Sequence, residues 1–384
     1  MKRRTMIGWL AGTVLSIVGS PMLVAYAHEN KRSRAKASYA AMQQYFYVND
    51  GSYLYHQQYP VAQGDNPYSD EWPFSQAHIA TIDLANLPDN TGSYYWDALK
   101  DRWLGQERYW DTAGDTGLPG YDSYPLPPYG NGGDRFYDDN EWVGLAAIQL
   151  YKMTGEQIAL ERAKQIFSLV VSGWDTDTSH ADPGGVFWTQ ASWNRNTTSN
   201  MPGAELGLRL YQLTGDQYYF DWGQKMYNWT NTYLLAPNGL YWNHVDLMGN
   251  IDKTQWSYNQ GVPVGVNVLF YVVTGDITYL HRAEHIANTA LDYYSADNNL
   301  YLQPAYFNAI FFKNLLLLQS VNQDQRYVEA MQDYADQVWN TYRDATTGLF
   351  HFNGSQSTQL LEQAAMTQIY AVLAWNPSQY HILY

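Results

Sequence analysis

The sequence predicts an all-α fold, an (α/α)6 toroid of six helical hairpins and twelve helices. Three observations predict it. The strings "YKMTGE", "YQLTGD" and "YVVTGD" begin at Tyr151, Tyr211 and Tyr271, 60 residues apart each time. Each string lies between two apolar stretches with helical spacing. The chain that follows an N-terminal leader has room for about six units of this length, and a repeat of this period indicates stacked helix pairs.

Each string reads as the turn of a helical hairpin. Gly155, Gly215 and Gly275 sit where a helix C-terminus wants a left-handed residue. Glu156, Asp216 and Asp276 then open the next helix, where the macrodipole favours an acid. Apolar spacing places helices near 35–48, 73–87, 91–108, 139–153, 156–172, 198–213, 216–233, 260–273, 276–295, 304–321, 324–341 and 357–374. Alternate helices would stand inside and outside the ring. The even-numbered ones carry small residues, as in "PGAELGL" (202–208) and "GVPVGV" (261–266), which suit a crowded inner ring.

Short turns follow the even helices and longer connections precede them, so the long loops share one face. Several carry a glycine followed by aromatics: "GSYLYH" (51–56), "GGVFW" (184–188), "GLYWN" (239–243) and "GLFHF" (348–352). These read as short hairpins on the rim. Loops on a rigid scaffold commonly carry function, so this face is the expected site.

The N-terminus reads "MKRRTMIGWLAGTVLSIVGSPMLVAYAHEN". A basic start, an apolar stretch and the small-x-small end "AYA" predict a signal peptide over residues 1–27. The rival reading is a retained anchor. Residues 28–36 look like a charged, mobile lead-in, and 37–384 form a single domain. The expectation is a secreted or cell-surface bacterial protein, with no membrane attachment after cleavage, and a monomer.

Composition narrows the chemistry. The net charge of -15 argues against nucleic-acid binding. With no cysteine, disulfides, thiolate metal sites and cysteine nucleophiles are excluded. The 35 tyrosines and 15 tryptophans fill cores, and they also suit sugar binding, because flat rings cover apolar sugar faces while their polar tips stay wet. The string "HRAEH" (His281–His285) matches an H-x-x-E-H zinc pattern. It aligns, at an offset of 120, with "ERAKQ" in an outer helix that carries no such pair. No metal and no cofactor are therefore expected.

The strongest chemical candidate is the pair Asp138 and Asp139 in "RFYDDNEWVGLAAIQLY". Two readings stand. Asp138 could be an N-cap with Glu141 completing a capping box. Alternatively, two carboxyls at the start of an inner helix can divide acid and base roles, because like charges in a partly buried site push their pKa values apart. Adjacent Cα atoms are about 3.8 Å apart, which suits the carboxyl spacing of about 5–5.5 Å used by retaining glycosidases. Other residues at or before inner-helix starts are candidates for binding sugar: Tyr137, Trp188, Asn196, Tyr258, Asn259 and Gln260.

Most of the chain after the leader resembles glycoside hydrolase family 76, the endo-α-1,6-mannanases. The resemblance rests on "FYDDNEWVGLAAIQLYKMTGE", "GGVFWTQASWNRNTTSNMPGAELGLRLYQLTGD", "WSYNQGVPVGVNVLFYVVTGD" and, less closely, "YFNAIFFKNLLLL". It implies an (α/α)6 fold, a retaining mechanism without a metal, and a mannan-like polysaccharide or oligosaccharide substrate. The family's first aspartate falls on Asp138 as nucleophile and its second on Asp139 as acid/base. The sequence departs from the family pattern at Phe187-Trp188, where two tryptophans are usual, at Arg195-Asn196, where Lys-Asn is usual, and at Asn308-Ala309. The alternatives are a cell-wall transglycosylase, or a surface carbohydrate-binding protein with weak or no catalysis.

Overall fold

A computed structural model describes residues 21–88 and 92–384. Its α-helices are α1 (Pro21–Phe46), α2 (Glu71–Ala85), α3 (Gly92–Gln106), α4 (Tyr137–Thr154), α5 (Gln157–Ser172), α6 (Thr197–Thr214), α7 (Gln217–Tyr233), α8 (Tyr258–Thr274), α9 (Ile277–Ser295), the single turn α10 (Asn299–Leu302), α11 (Ala305–Asn322), α12 (Arg326–Thr341) and α13 (Leu360–Leu373). Apart from α10, these are the helices expected from periodicity. The first 20 residues of the predicted leader lie outside the described residues. The charged lead-in over 28–36 lies within a helix. It belongs to α1, where Ala35 is fully buried and Arg34 pairs with Asp336 of α12 and lies over the Trp339 ring. No helix among the described residues is long and apolar enough to cross a membrane.

Helices α2, α4, α6, α8, α11 and α13 pack each against the next, and α13 packs back on α2. They form a closed inner ring. The outer ring is α1, α3, α5, α7, α9 and α12. Burial follows this division. Helix α8 is buried from Tyr258 to Phe270, on all sides. In α5 only a stripe is buried, including Ala159, Ala163, Ile166, Phe167 and Val170, the pattern of a surface helix over a core. The inner ring is tight enough to require glycine. A Cβ on Gly261 of α8 would lie 2.6 Å from the Cα of Phe311 in α11.

The repeated turn has a physical basis. Gly155, Gly215 and Gly275 adopt φ of 75°, 71° and 72°, and each N–H donates to the tyrosine carbonyl that opens its string. The threonine before each glycine donates its hydroxyl back to the carbonyl four residues earlier. The same hydroxyl accepts the N–H of the acid that starts the next helix.

A second device recurs at the other end of the inner helices. Asn140, Asn200 and Gln260 are also spaced by 60 residues, and all three are buried. Each side-chain amide grips one residue of the preceding rim segment by both backbone groups. Asn140 bonds N–H and C=O of Tyr121 at 2.7 and 2.9 Å, Asn200 those of Val186 at 2.8 and 3.2 Å, and Gln260 those of Tyr241 at 2.6 and 3.0 Å. The remaining amide hydrogen goes to the carbonyl four residues back: Phe136, Asn196 and Trp256. Gln363 of α13 accepts the N–H of Phe350 in the same manner.

The clamped segments include the expected rim hairpins. Antiparallel bridges join Tyr47 to Tyr55, Trp174 to Val186, Leu235 to Tyr241 and Arg343 to Phe350. Each of these hairpins carries a glycine with positive φ, at Gly51, Gly184, Gly239 and Gly348. Three small sheets complete the loop face. Strand β1 (Gln58–Tyr59) pairs with β7 (Thr358–Gln359), β2 (Trp110–Asp111) with β3 (Gly120–Tyr121), and β4 (Asn194–Asn196) with β5 (His244–Asp246), which pairs with β6 (Ile251–Asp252). At the opposite end, a final 3-10 turn, Pro377–Ile382, is held by bonds from Asn86 to Gln379 and from Lys152 to the carbonyl of His381.

Replacing Gln260 by alanine removes three hydrogen bonds and strands two buried backbone groups. The expected outcome is a loss of about 2–4 kcal/mol in unfolding free energy, read as a lower urea midpoint. A residue that only touched ligand would leave that midpoint in place.

Candidate active site

Inner helices start on the loop face, and their first turns surround a cleft of about 430 Å³. The repeat explains which residues face it. Two positions before the amide clamps stand Asp138, Thr198 and Tyr258, and all three line the cleft. Four positions before the clamps stand Phe136, Asn196 and Trp256, which also line it. Asp139 lines it too, from the position where the other repeats carry Ser199 and Asn259.

The capping reading of the aspartates fails. Helix α4 begins at Tyr137, its N-cap is Phe136, and no side chain caps it. Asp138 is instead one residue inside the helix and 7% exposed. Its Oδ2 accepts from Trp188 Nε1 at 3.3 Å and from Thr198 Oγ1 at 3.4 Å, while its Oδ1 is buried without a partner among the described residues. Asp139 is half-buried and faces the cleft.

Electrostatics separates the two. Burial raises the pKa of Asp138 to about 7, and the bonds from Trp188 and Thr198 oppose the rise. Asp139 is raised well above the usual carboxylate range, by burial first and then by the charges of Asp138, Glu71 and Asp70. Two further acids lie close behind. Glu71, in the first turn of α2, accepts from Gln106 at 2.6 Å, and burial together with Asp138 lifts it to about 8. Glu141 lies buried against Gly203 of α6, and burial and Asp138 push it well up. The arrangement can hold one carboxyl protonated beside one that ionises near neutral pH.

The expected binding residues divide. Trp188 is 39% exposed, lines the cleft and meets Phe136 edge-on. Tyr258 stacks flat on Phe307, with centroids 3.9 Å apart. Asn196 lines the cleft although it is only 5% exposed, and its Oδ1 has no partner among the described residues. Strand alternation accounts for this: Asn194 and Asn196 of β4 face the cleft, while Arg195 between them turns inward to Asp175 at 2.9 Å.

Three expectations are corrected. Gln260 does not line the cleft, because its amide is consumed by Tyr241 and Trp256. Asn259 stands one layer behind, its Nδ2 reaching Asn243 Oδ1 at 3.4 Å. It is Asn243 that lines the cleft. Tyr137 turns toward α5, where a Cβ on Gly173 would lie 2.5 Å from its ring. The expectation missed Gln57, Asp70, Trp72, His244 and Phe307. Of the zinc-like string, His281 and His285 lie on the exposed side of outer helix α9.

A ring of six helical hairpins, with paired acids and an aromatic wall at one mouth, defines a carbohydrate-enzyme scaffold. Residues 30–379 match the model of glycosyl hydrolase family 76, and the chain belongs to that family. A mannan endo-1,6-alpha-mannosidase of Saccharomyces cerevisiae is 27% identical over 224 residues, 51% of this chain and 49% of that protein. The match thus spans about half the length of that curated relative. A family 76 glycoside hydrolase from a bovine Bacteroides thetaiotaomicron strain superposes with a TM-score of 0.79 at 26% identity, covering 90% of this chain and 77% of that one. An inactive variant of an alpha-1,6-mannanase of Salegentibacter sp., solved with alpha-1,6-mannotriose, superposes with a TM-score of 0.70 at 20% identity over 90% of this chain and 99% of that one, a likeness of fold.

The buried acids predict an unusual pH dependence of stability. Their folded pKa values lie above the unfolded ones, so their contribution is full below about pH 4, the ordinary carboxylate range, and is lost progressively as pH rises from there to about 7 to 8. The melting temperature should fall over that window. Glu205 lies outside the cleft, and burial raises it to about 8 against the opposing charges of Arg209 and Lys152. Glu205→Gln should flatten the fall. An unchanged slope would remove Glu205 from the account.

Proposed function

We propose that the chain is an exported, retaining endo-acting α-mannosidase that cleaves α-1,6-linked mannan. The observation that carries this reading is the unequal pair: Asp138 hydrogen-bonded and ionising near neutrality, Asp139 held protonated in the same cleft. Family membership and the printed activity of the yeast relative support the substrate class. The mannotriose complex of the bacterial mannanase supports it in the same way. The N-terminal leader supports export.

In this reading Asp138 attacks the anomeric carbon and forms a glycosyl ester. The bond to the leaving oxygen breaks as Asp139 donates its proton to that oxygen. A water then yields a proton to Asp139, attacks the same carbon and frees Asp138. Trp188 and Thr198 serve the first step by stabilising the ionised Asp138. Trp72, Trp256, Tyr258 and Phe307 give apolar faces for sugar rings. Asn194, Asn196 and Asn243 offer amides to hydroxyls. No step draws on a metal or cofactor.

Asp138→Asn should abolish turnover. Asp139→Asn should slow mannan cleavage by about 10²–10⁴-fold, the usual worth of a general acid, yet spare aryl mannosides whose leaving group needs no proton. Proton NMR of the first product should show the anomer of the substrate. An inverted product would sink the retaining mechanism.

Activity should also fall as pH drops through about 7, where Asp138 becomes protonated. Trp188→Phe removes a hydrogen bond to the ionised form, so its acid limb should move to higher pH. A profile that does not move would leave Trp188 as a stacking surface only.

A further inference from the structure

Arg195, the middle residue of β4, is fully buried and does not line the cleft. We infer that it is a positioning residue: its guanidinium fixes the amides that meet the sugar and the indole that bonds to Asp138. The inference rests on the mannosidase reading given above.

The guanidinium gathers acceptors from two rim segments. Its Nη1 donates to Asp175 Oδ2 at 2.9 Å and to the carbonyls of Asp182 and Gly184 at 3.1 and 3.3 Å. Its Nη2 donates to the carbonyls of Ala181 and Asp246 at 2.9 and 2.8 Å. Residues 175–184 belong to the connection between α5 and β4, and Asp246 ends β5. The cation also lies 5.8 Å from the centre of the Trp229 ring, whose Nε1 donates to the same Asp182 carbonyl at 3.2 Å. A buried charge is costly unless it is paired and its donors are met. Here one carboxylate and four carbonyls meet it. The planar fork reaches them in one fixed orientation, which an ammonium, a point charge with three donors, cannot copy. Strand β4 is therefore pinned at its centre.

What is pinned carries the chemistry. Side chains alternate along a strand, so Asn194 and Asn196 meet the cleft because Arg195 turns away from it. Asn196 Oδ1 is buried without a partner among the described residues, which leaves it to accept from a sugar hydroxyl. The carbonyl of Asn194 accepts the N–H of Trp188 at 3.1 Å, and Phe187 forms an antiparallel bridge with Arg195 itself. The carbonyl of Trp188 accepts the N–H of Tyr137, the first residue of α4, at 2.9 Å. Trp188 is thus strung between β4 and α4, with its indole N–H on Asp138 Oδ2 at 3.3 Å. A shift of β4 moves two binding amides and one hydrogen bond to the nucleophile together. Misplacing such groups by about 1 Å can cost about 10²-fold in rate.

Arg195→Lys tests this, because it keeps the charge and removes the fork. On α-1,6-mannooligosaccharides its KM should rise about tenfold, the scale of one or two weakened hydrogen bonds, while kcat falls less. The acid limb of its kcat/KM profile should move up by about half a pH unit, as the bond from Trp188 to the ionised Asp138 loosens. The other titratable groups around Asp138 are Glu71 of α2, Asp139 and Glu141 of α4 and Tyr258 of α8, all retained in the variant. Around Arg195 they are Asp175 and His180, whose Nδ1 lies 3.0 Å from the same carboxylate; lysine keeps the counter-charge beside them. Asp175→Asn weakens the same anchor and leaves the guanidinium in place. It should raise KM by a smaller factor, and it decides the matter if Arg195→Lys fails to fold. A lower urea midpoint with KM and acid limb unchanged would make Arg195 a structural residue only and overturn the inference, leaving the mannosidase reading intact. A wild type inactive on mannan would overturn both.

Discussion

The side-chain amide near the start of the inner helices is the interaction on which the loop face depends. Asn140, Asn200 and Gln260 each bind both backbone groups of one rim residue and also a carbonyl of their own preceding turn. Rim segments leaving outer helices have no regular ladder of their own, and their buried polar groups need partners. The amide supplies donor and acceptor at once, in a fixed geometry. It therefore sets the height and direction of each rim segment relative to its inner helix. The residues two and four positions earlier are thereby aimed at the ring axis. Cleft, aromatic wall and acid pair all follow from that register.

Charge at the cleft is arranged with little compensation. Asp70, Glu71, Asp138, Asp139 and Glu141 gather at the first turns of α2 and α4. The nearby Arg135 is occupied elsewhere, by Asp122 at 2.9 Å and Asp111 at 3.2 Å. Without a counter-ion, protons must do the neutralising, so burial determines which acids keep them. Two hydrogen bonds to one oxygen of Asp138 oppose the rise that burial imposes on it. The helix N-terminus adds a smaller bias, about 0.3–1 kcal/mol, shared by both aspartates and unable to distinguish them.

Much of this was legible in the sequence, and the reasons for the rest are specific. Gly155, Gly215 and Gly275 marked the hairpins because a left-handed helix end leaves few choices of residue. Asp138 and Asp139 stood out because one cap cannot explain two acids. Gln260 misled because an amide at a helix start serves a ligand or a backbone equally well. The 60-residue offset that aligned the glycines also aligns Asn140, Asn200 and Gln260, so the signal of a structural role was present. Tyr137 misled for another reason. The inner helices are buried all round, so apolar spacing does not tell which side faces the axis, and a phase error of one residue exchanges Tyr137 for Phe136. Trp72 and Phe307 lie in α2 and α11, outside the three matching repeats, where no offset predicts their orientation.

The closure of the ring has a kinetic side. The buried face of α1, with Ala35, Tyr39, Met42 and Phe46, packs mainly on α13. The amide of Gln363 in α13 donates to the carbonyl of Ser38 at 2.9 Å, across 325 residues of sequence. Strand β1 likewise waits for β7. An open solenoid can grow unit by unit from a nucleus, since each unit needs only its neighbour. Here the first helix remains without its main partner until the last long helix exists. Such long-range pairing raises contact order and slows folding. During that interval an apolar stripe of α1 is exposed to solvent and to other chains. A closed toroid thus gains a cleft shaped from all sides and accepts a long window of vulnerability while it is being made.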